Sequence, residues 1–233
     1  MELLSYILNF LKNPKREIRS EKPISEKLKD VILIFLCTFT VVIVIIAPLM
    51  YSMLDLENIP NKLQDLSDHI SDLHFFLLGV VAAPLLEEFF FRFPLKYRKG
   101  VLFLLVAFLA GLVYFLASRF FTENQVMSLT AVFFFSYGAL LIVNDAPLTE
   151  SKLGKLFPYV FYITAAMFGL AHVSNYEIDP SLWYMFPVLV LPQLFLGLML
   201  GFVRLRYGLW AAIMMHAMNN FLPFMVMLFA PDM

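Results

Sequence analysis

Seven apolar stretches, each long enough to cross a bilayer as a helix, leave this chain few folds to choose from. They cover residues 31–54, 73–95, 101–121, 126–143, 156–173, 182–203 and 207–229. A spanning helix needs about 20 mostly apolar residues. Lipid offers no partner to a free N–H or C=O, so such segments satisfy their own backbone as helices. Hydrophobic residues make up 61% of the chain and charged residues only 15%, against roughly 25% charged in soluble domains. The loops are too short to hold a soluble domain. The expected fold is therefore all-α, a polytopic membrane bundle: residues 1–30 form a basic segment and residues 31–233 one membrane-embedded domain.

Lysine and arginine orient the bundle, because they concentrate on the cytoplasmic side. Lys12, Lys15, Arg16, Arg19, Lys22, Lys27 and Lys29 precede the first span. Lys96, Arg98 and Lys99 follow the second, Lys152 and Lys155 the fourth, Arg204 and Arg206 the sixth. The opposite side holds only Lys62 and Arg119, and Arg92 lies within a span. This alternation predicts a cytoplasmic N terminus, and the expected location is a bacterial inner or plasma membrane. A net charge of −1 gives no reason to expect a nucleic-acid partner. Residues 1–11 are apolar, but their charges follow rather than precede them, unlike a secretory leader. Leu3, Leu4, Ile7, Leu8 and Leu11 instead recur at helical spacing, the pattern of an interfacial helix. Cys37 has no second cysteine to pair with and reads as a small hydrophobe.

Ionisable residues inside spans are costly, about 2.5–3.5 kcal/mol each at a helix centre on insertion scales, and they mark functional interiors. The second span carries Glu87, Glu88 and Arg92. Glu88 and Arg92 are at i, i+4 and share a face, so they suit a structural ion pair. Glu87 is turned about 100° away and has no partner in its own helix, which suits a working acid–base group. The fifth span ends in Phe168-Gly-Leu-Ala-His172, with Phe168 and His172 on one face. The seventh carries His216 and Asn220, again one turn apart, with Asn219 aimed elsewhere. Gly197 and Gly201 in the sixth, like Ala165 and Gly169 in the fifth, form small faces for close helix packing. Three helices thus each bring an acid–base or donor group. A carboxylate and two imidazoles suffice to activate a water, directly or through a divalent metal such as Zn²⁺, and hydrolysis is the reaction that needs one.

At these residues the chain resembles the CPBP family of intramembrane proteases: type II CaaX prenyl endopeptidases, bacteriocin-processing proteins and Abi-like membrane proteins. The family's motifs Glu-Glu-x-x-x-Arg, Phe-x-x-x-His and His-x-x-x-Asn/Asp correspond in order to Glu87-Glu88…Arg92, Phe168…His172 and His216…Asn220. The resemblance covers residues 73–221. It implies an intramembrane endopeptidase acting on a membrane-anchored, lipid-modified or unmodified protein or peptide. Glu87 and His172 would position and activate the water. His216 and Asn220 would stabilise the oxyanion or complete a metal site, and Glu88 and Arg92 would hold the geometry. Glu87, His172 and His216 are the candidate metal ligands. There is no His-Glu-x-x-His motif, and the sequence leaves metal and metal-free chemistry both open. Competing expectations are a non-catalytic immunity or binding protein with the same polar centre and a proton-coupled transporter, although no internal repeat favours the latter.

The chain departs from the family pattern in its spacing. The first two motifs usually lie on successive helices, whereas here the spans 101–121 and 126–143 separate them. Counted from the predicted boundaries, His172 falls near the outer end of its span, and Glu87 and His216 fall nearer the cytoplasmic half. For the three to meet, the second span should be long and tilted with a bend at Pro84, or the fifth should continue through Tyr176.

Overall fold

The computed structural model describes residues 2–16, 18–54, 66–67, 69–96, 150–176 and 184–229. The predicted spans 101–121 and 126–143 lie outside the described residues. The elements are helical: α1 (Glu2–Lys12), α2 (Ile24–Met53), α3 (Asp72–Phe91), α4 (Glu150–Ala171), α5 (Leu191–Tyr207) and α6 (Leu209–Phe229). Four of them, α2, α3, the Gly154–Ala171 portion of α4, and α6, are long and apolar enough to cross a membrane. The protein is an integral membrane helical bundle.

Proline and glycine set boundaries that apolar runs alone did not reveal. α2 begins just after Pro23, which is extended, so the helix starts seven residues before the predicted span and includes Lys27, Lys29 and Asp30. The predicted span 182–203 is not one helix. A short turn, Phe186–Leu189, precedes α5, which starts at Leu191 with Pro192 in its first turn, where a missing N–H leaves no hydrogen bond unmade. α5 then runs on through Arg204 and Arg206, which the charge pattern had placed in a loop. Gly208 separates α5 from α6 with φ of 112°, a conformation that a side chain disfavours.

α2 and α3 are not uniform α-helices. Val42–Ile46 in α2 and Leu77–Ala82 in α3 are π-helical, and Ala-Pro follows each. In a π segment each amide reaches the carbonyl five residues back rather than four. Accordingly the Ala83 N–H donates to Leu78 O and that of Ala47 to Val42 O.

Two antiparallel pairs build the frame of the site. Along α3 and α6, Phe76 packs on Phe224 at 5.3 Å between ring centres, and Glu88 reaches His216. Along α4 and α5, a Cβ on Gly169 would lie 3.2 Å from the Leu194 backbone nitrogen, and one on Gly201 would lie 2.8 Å from the Phe161 ring. These small residues therefore bring the backbones together as their spacing predicts. α3 touches α4 through the C-terminal ends of both: Phe91 meets Phe168 edge-on at 5.6 Å. That offset resolves the depth conflict. α4 stops being α-helical at Ala171, and His172–Asn175 continue as a tighter 3₁₀ turn, so His172 sits where α3 ends.

α1 is the amphipathic helix the leucine spacing implies, and it docks on the bundle. Ile7 and Phe10 are buried, and the Phe10 ring lies 5.1 Å from both Phe161 and Phe202. The segment after it is tied across helix ends: Ser20 N–H donates to Arg206 O at 2.9 Å, Arg206 Nη1 to Ile18 O at 3.3 Å, and Arg16 Nη2 to Lys96 O. Asp30 accepts from Lys22 Nζ at 2.7 Å and from the Tyr207 hydroxyl at 2.9 Å.

Candidate active site

The three motif helices converge. Glu87 Oε2 lies 3.7 Å from His172 Nε2 and 3.9 Å from His216 Nε2. A single water, with hydrogen bonds of about 2.8 Å, bridges separations of this size. Glu87, which lacks a partner within α3, faces the imidazoles of α4 and α6, and its Oε2 is buried with no hydrogen bond among the described residues.

The neighbours of each ring set its tautomer. His172 Nδ1 is 2.8 Å from Phe168 O. A carbonyl only accepts, so Nδ1 carries the proton and the neutral ring turns a bare Nε2 towards Glu87. His216 Nδ1 is 3.2 Å from Glu88 Oε1, which likewise leaves Nε2 on the Glu87 side. With both rings neutral, acceptors face one another around a gap, and a group that donates in two directions fits between them.

Glu88 and Arg92 form the expected i, i+4 pair, but loosely, with Arg92 Nε 3.6 Å from Glu88 Oε2 and both side chains fully buried. Glu88 has a second duty in orienting His216. None of the three guanidinium nitrogens of Arg92 makes a hydrogen bond among the described residues. The group instead lies over the Phe168 ring, 4.6 Å from its centre, a contact worth about 2 kcal/mol or more when desolvated. Phe168 also contacts both imidazoles, at ring separations of 4.7 Å to His172 and 5.4 Å to His216. It is the packing hub of the site.

Asn220 is less directly engaged with the carboxylates. Its Nδ2 donates to Gly79 O at 2.9 Å, on the π segment of α3. Asn219 Nδ2 stands 3.5 Å from Asn220 Oδ1. Three supports went unseen in the sequence. A Cβ on Gly197 would lie 3.1 Å from the Phe168 ring and 3.3 Å from Arg92 Nη2, so this glycine makes the notch that holds both. Buried Arg204 donates from Nε to Arg92 O at 3.1 Å, closing the C-terminal end of α3. The Gly79 carbonyl is the third. Gly197 carried the small-residue signal of a packing face, which says nothing of what the notch receives; Arg204 read only as a loop charge.

Among the described residues, no three His, Cys, Asp or Glu side chains are spaced as a metal-ligand set as they stand. Four-coordinate Zn²⁺ holds its ligand atoms about 3.4 Å apart, a few tenths of an ångström closer than Glu87 stands to either imidazole.

No curated protein and no solved structure matches the chain. Residues 69–222 match the type II CAAX prenyl endopeptidase Rce1-like family. That interval contains all three motifs and the greater part of the helices that frame the site, and with it the chain belongs to the Rce1-like type II CAAX prenyl endopeptidases, a family of intramembrane peptidases within the CPBP group.

Proposed function

We propose that this protein cleaves a peptide bond of a membrane-anchored substrate with a water held between Glu87 and His172. The observation that carries the reading is the placement of buried Glu87 Oε2 within 3.7 and 3.9 Å of two imidazole nitrogens from different helices. A water there donates one hydrogen to the carboxylate and one to His172 Nε2, leaving a lone pair for the substrate carbonyl. As the O–C bond forms, Glu87 takes a water proton. As the C–N bond breaks, that proton passes to the leaving amine. His216, held by Glu88, supplies a donor to the tetrahedral oxyanion when its Nε2 is protonated. Arg92 and Phe168 keep the rings in place.

A divalent ion is the alternative occupant of the gap. Glu87, His172 and His216 are the donors that would hold Zn²⁺, which when bound would supply Lewis acidity to the water. The substrate we propose is a lipid-modified protein or peptide, in keeping with the prenylated substrates for which the family is named.

The test uses purified protein in proteoliposomes and two fluorescence-quenched peptides. One has a farnesylated cysteine followed by three residues, and the other is anchored by an apolar helix. Cleavage should fall by about 10²–10⁴-fold in Glu87→Gln, the usual worth of a general base. Undiminished cleavage in that variant would refute the reading. Retention of a biological phenotype with no cleavage of either peptide would favour the binding protein. Loss of cleavage on chelation, restored by Zn²⁺, would assign the metal.

A further inference from the structure

α1 carries two apolar strips, and among the described residues the bundle covers only one. Leu3, Ile7 and Phe10 pack into the core, Phe10 on the Phe161 and Phe202 rings. Each residue of an α-helix is turned about 100° from the one before it. Leu4 and Leu8 therefore form a second strip beside that of Leu3 and Ile7, and they are 58% and 52% exposed. Ser5 and Asn9, a further 100° round, are exposed as well and make the polar face.

The depth of α1 puts lipid, not water, beside the second strip. α1 meets α4 at Phe161 and at Tyr162, whose hydroxyl donates to Leu11 O. Phe161 lies seven residues past Gly154, the first residue of the membrane-crossing part of α4, or about 10 Å along the helix. An in-plane amphipathic helix sits about 5–10 Å into the boundary between headgroups and acyl chains. Tyrosines gather at the same end of the bundle: Tyr6, whose ring centre is 4.1 Å from the Arg206 guanidinium carbon, and exposed Tyr159 and Tyr162. Tyrosine is enriched where membrane meets water.

Charge selects the lipid. Residues 12–19 hold the cations Lys12, Lys15, Arg16 and Arg19 against one acid, Glu17. Arg16 is engaged with Lys96 O, whereas Lys12, Lys15 and Arg19 are exposed. A basic side chain near the surface of an anionic leaflet is worth about a fivefold preference. Lys12 follows the apolar strips on the same helix, so its stem can lie along them while its charge reaches the headgroups.

We infer that α1 is a lipid-binding element: Leu4 and Leu8 enter the acyl region of one leaflet, and Lys12, Lys15 and Arg19 hold anionic phospholipid headgroups above it. One helix thereby seals the bundle with one apolar strip and anchors in lipid with the other.

The test places single labels on the full chain. Cys37 is the one native cysteine, so Leu8→Cys and Asn9→Cys in a Cys37→Ala background each carry one bimane. The proteins are reconstituted in vesicles of phosphatidylcholine and phosphatidylglycerol. Lipid with a shallow doxyl group should quench the label at position 8 several-fold more than that at position 9, and aqueous acrylamide should do the reverse. Leu4→Cys repeats the first reading at an independent exposed site. Equal acrylamide quenching at positions 8 and 9 would put the strip in water. A label shielded from both quenchers would put it under a protein partner or a second copy. Either result overturns the inference. Doxyl-phosphatidylglycerol should also quench position 8 more than doxyl-phosphatidylcholine at equal mole fraction, and joint Lys12→Gln, Lys15→Gln and Arg19→Gln should abolish the difference. Equal quenching by the two lipids before those substitutions, or a difference that survives them, would overturn the assignment of the headgroups.

Discussion

Replacing Gly197 with alanine sets two opposed effects against each other, and the structure decides the sign. Glycine inside a helix is less favourable than alanine by about 0.8–1.0 kcal/mol, so the substitution should stabilise α5 if nothing stood in the way. Three groups stand in the way: the new Cβ would lie 3.1 Å from the Phe168 ring, 3.2 Å from Ala165 O and 3.3 Å from Arg92 Nη2. Each must retreat by a few tenths of an ångström. Ala165 O is backbone, Phe168 is fully buried between Arg92 and two histidines, and Arg92 has no exposed surface into which to withdraw. Overpacking of this kind costs about 1–3 kcal/mol, which cancels or exceeds the propensity gain. Gly154, on exposed helix with nothing among the described residues within 4 Å of its would-be Cβ, is the control. Gly154→Ala should raise stability by up to about 1 kcal/mol and leave hydrolysis unchanged, whereas Gly197→Ala should lower stability by about 0–2 kcal/mol net and reduce kcat, because Phe168 carries the positions of both imidazoles. Reversible denaturation in mixed micelles and initial hydrolysis rates read the two quantities. If Gly197→Ala matches Gly154→Ala in both, the notch is slack and the account of Arg92 and Phe168 is wrong.

Glu88→Gln takes from the buried Arg92 charge the carboxylate 3.6 Å away and should destabilise the protein by about 3–5 kcal/mol; Glu88→Gln with Arg92→Met should be more stable than Glu88→Gln alone yet remain inactive, because His216 loses its carboxylate partner. Tyr207→Phe removes the hydroxyl that Asp30 accepts from at 2.9 Å and should cost about 1 kcal/mol without altering kcat, while Asp30→Asn in the Tyr207→Phe background should add little; a kcat change in Tyr207→Phe would couple this tie to the chemistry.

The helical membrane class was legible because lipid forces a single backbone solution on long apolar runs. The site was legible because charges in such runs need a reason: Glu87, His172 and His216 were each conspicuous alone. Their convergence was expected but not derivable from boundaries. The approach of His172 to Glu87 could not be counted from the start of the fifth span, since a hydropathy edge marks where apolar residues begin, not where a helix does, and α4 starts at Glu150. The 182–203 run misled for a related reason: Pro187 and Pro192 break a stretch that composition alone would join. Asn220 was legible as sharing a helical face with His216, but the hydrogen bond from its amide to the Gly79 carbonyl of α3 was not. Nothing in residues 77–82 announces a π turn except the proline just beyond it.

The docking of α1 has a consequence for biosynthesis. Ile7 and Phe10 find their cover in Phe161 and Phe202, and Ile18 and Ser20 find theirs in Arg206. At about 5–20 residues per second, the 192 positions from Phe10 to Phe202 take about 10–40 s to translate, and until then the side chains of α1 lack part of their cover. α1, made before α4 and α5, therefore reaches its final contacts after them and closes the bundle only once α5 has been inserted.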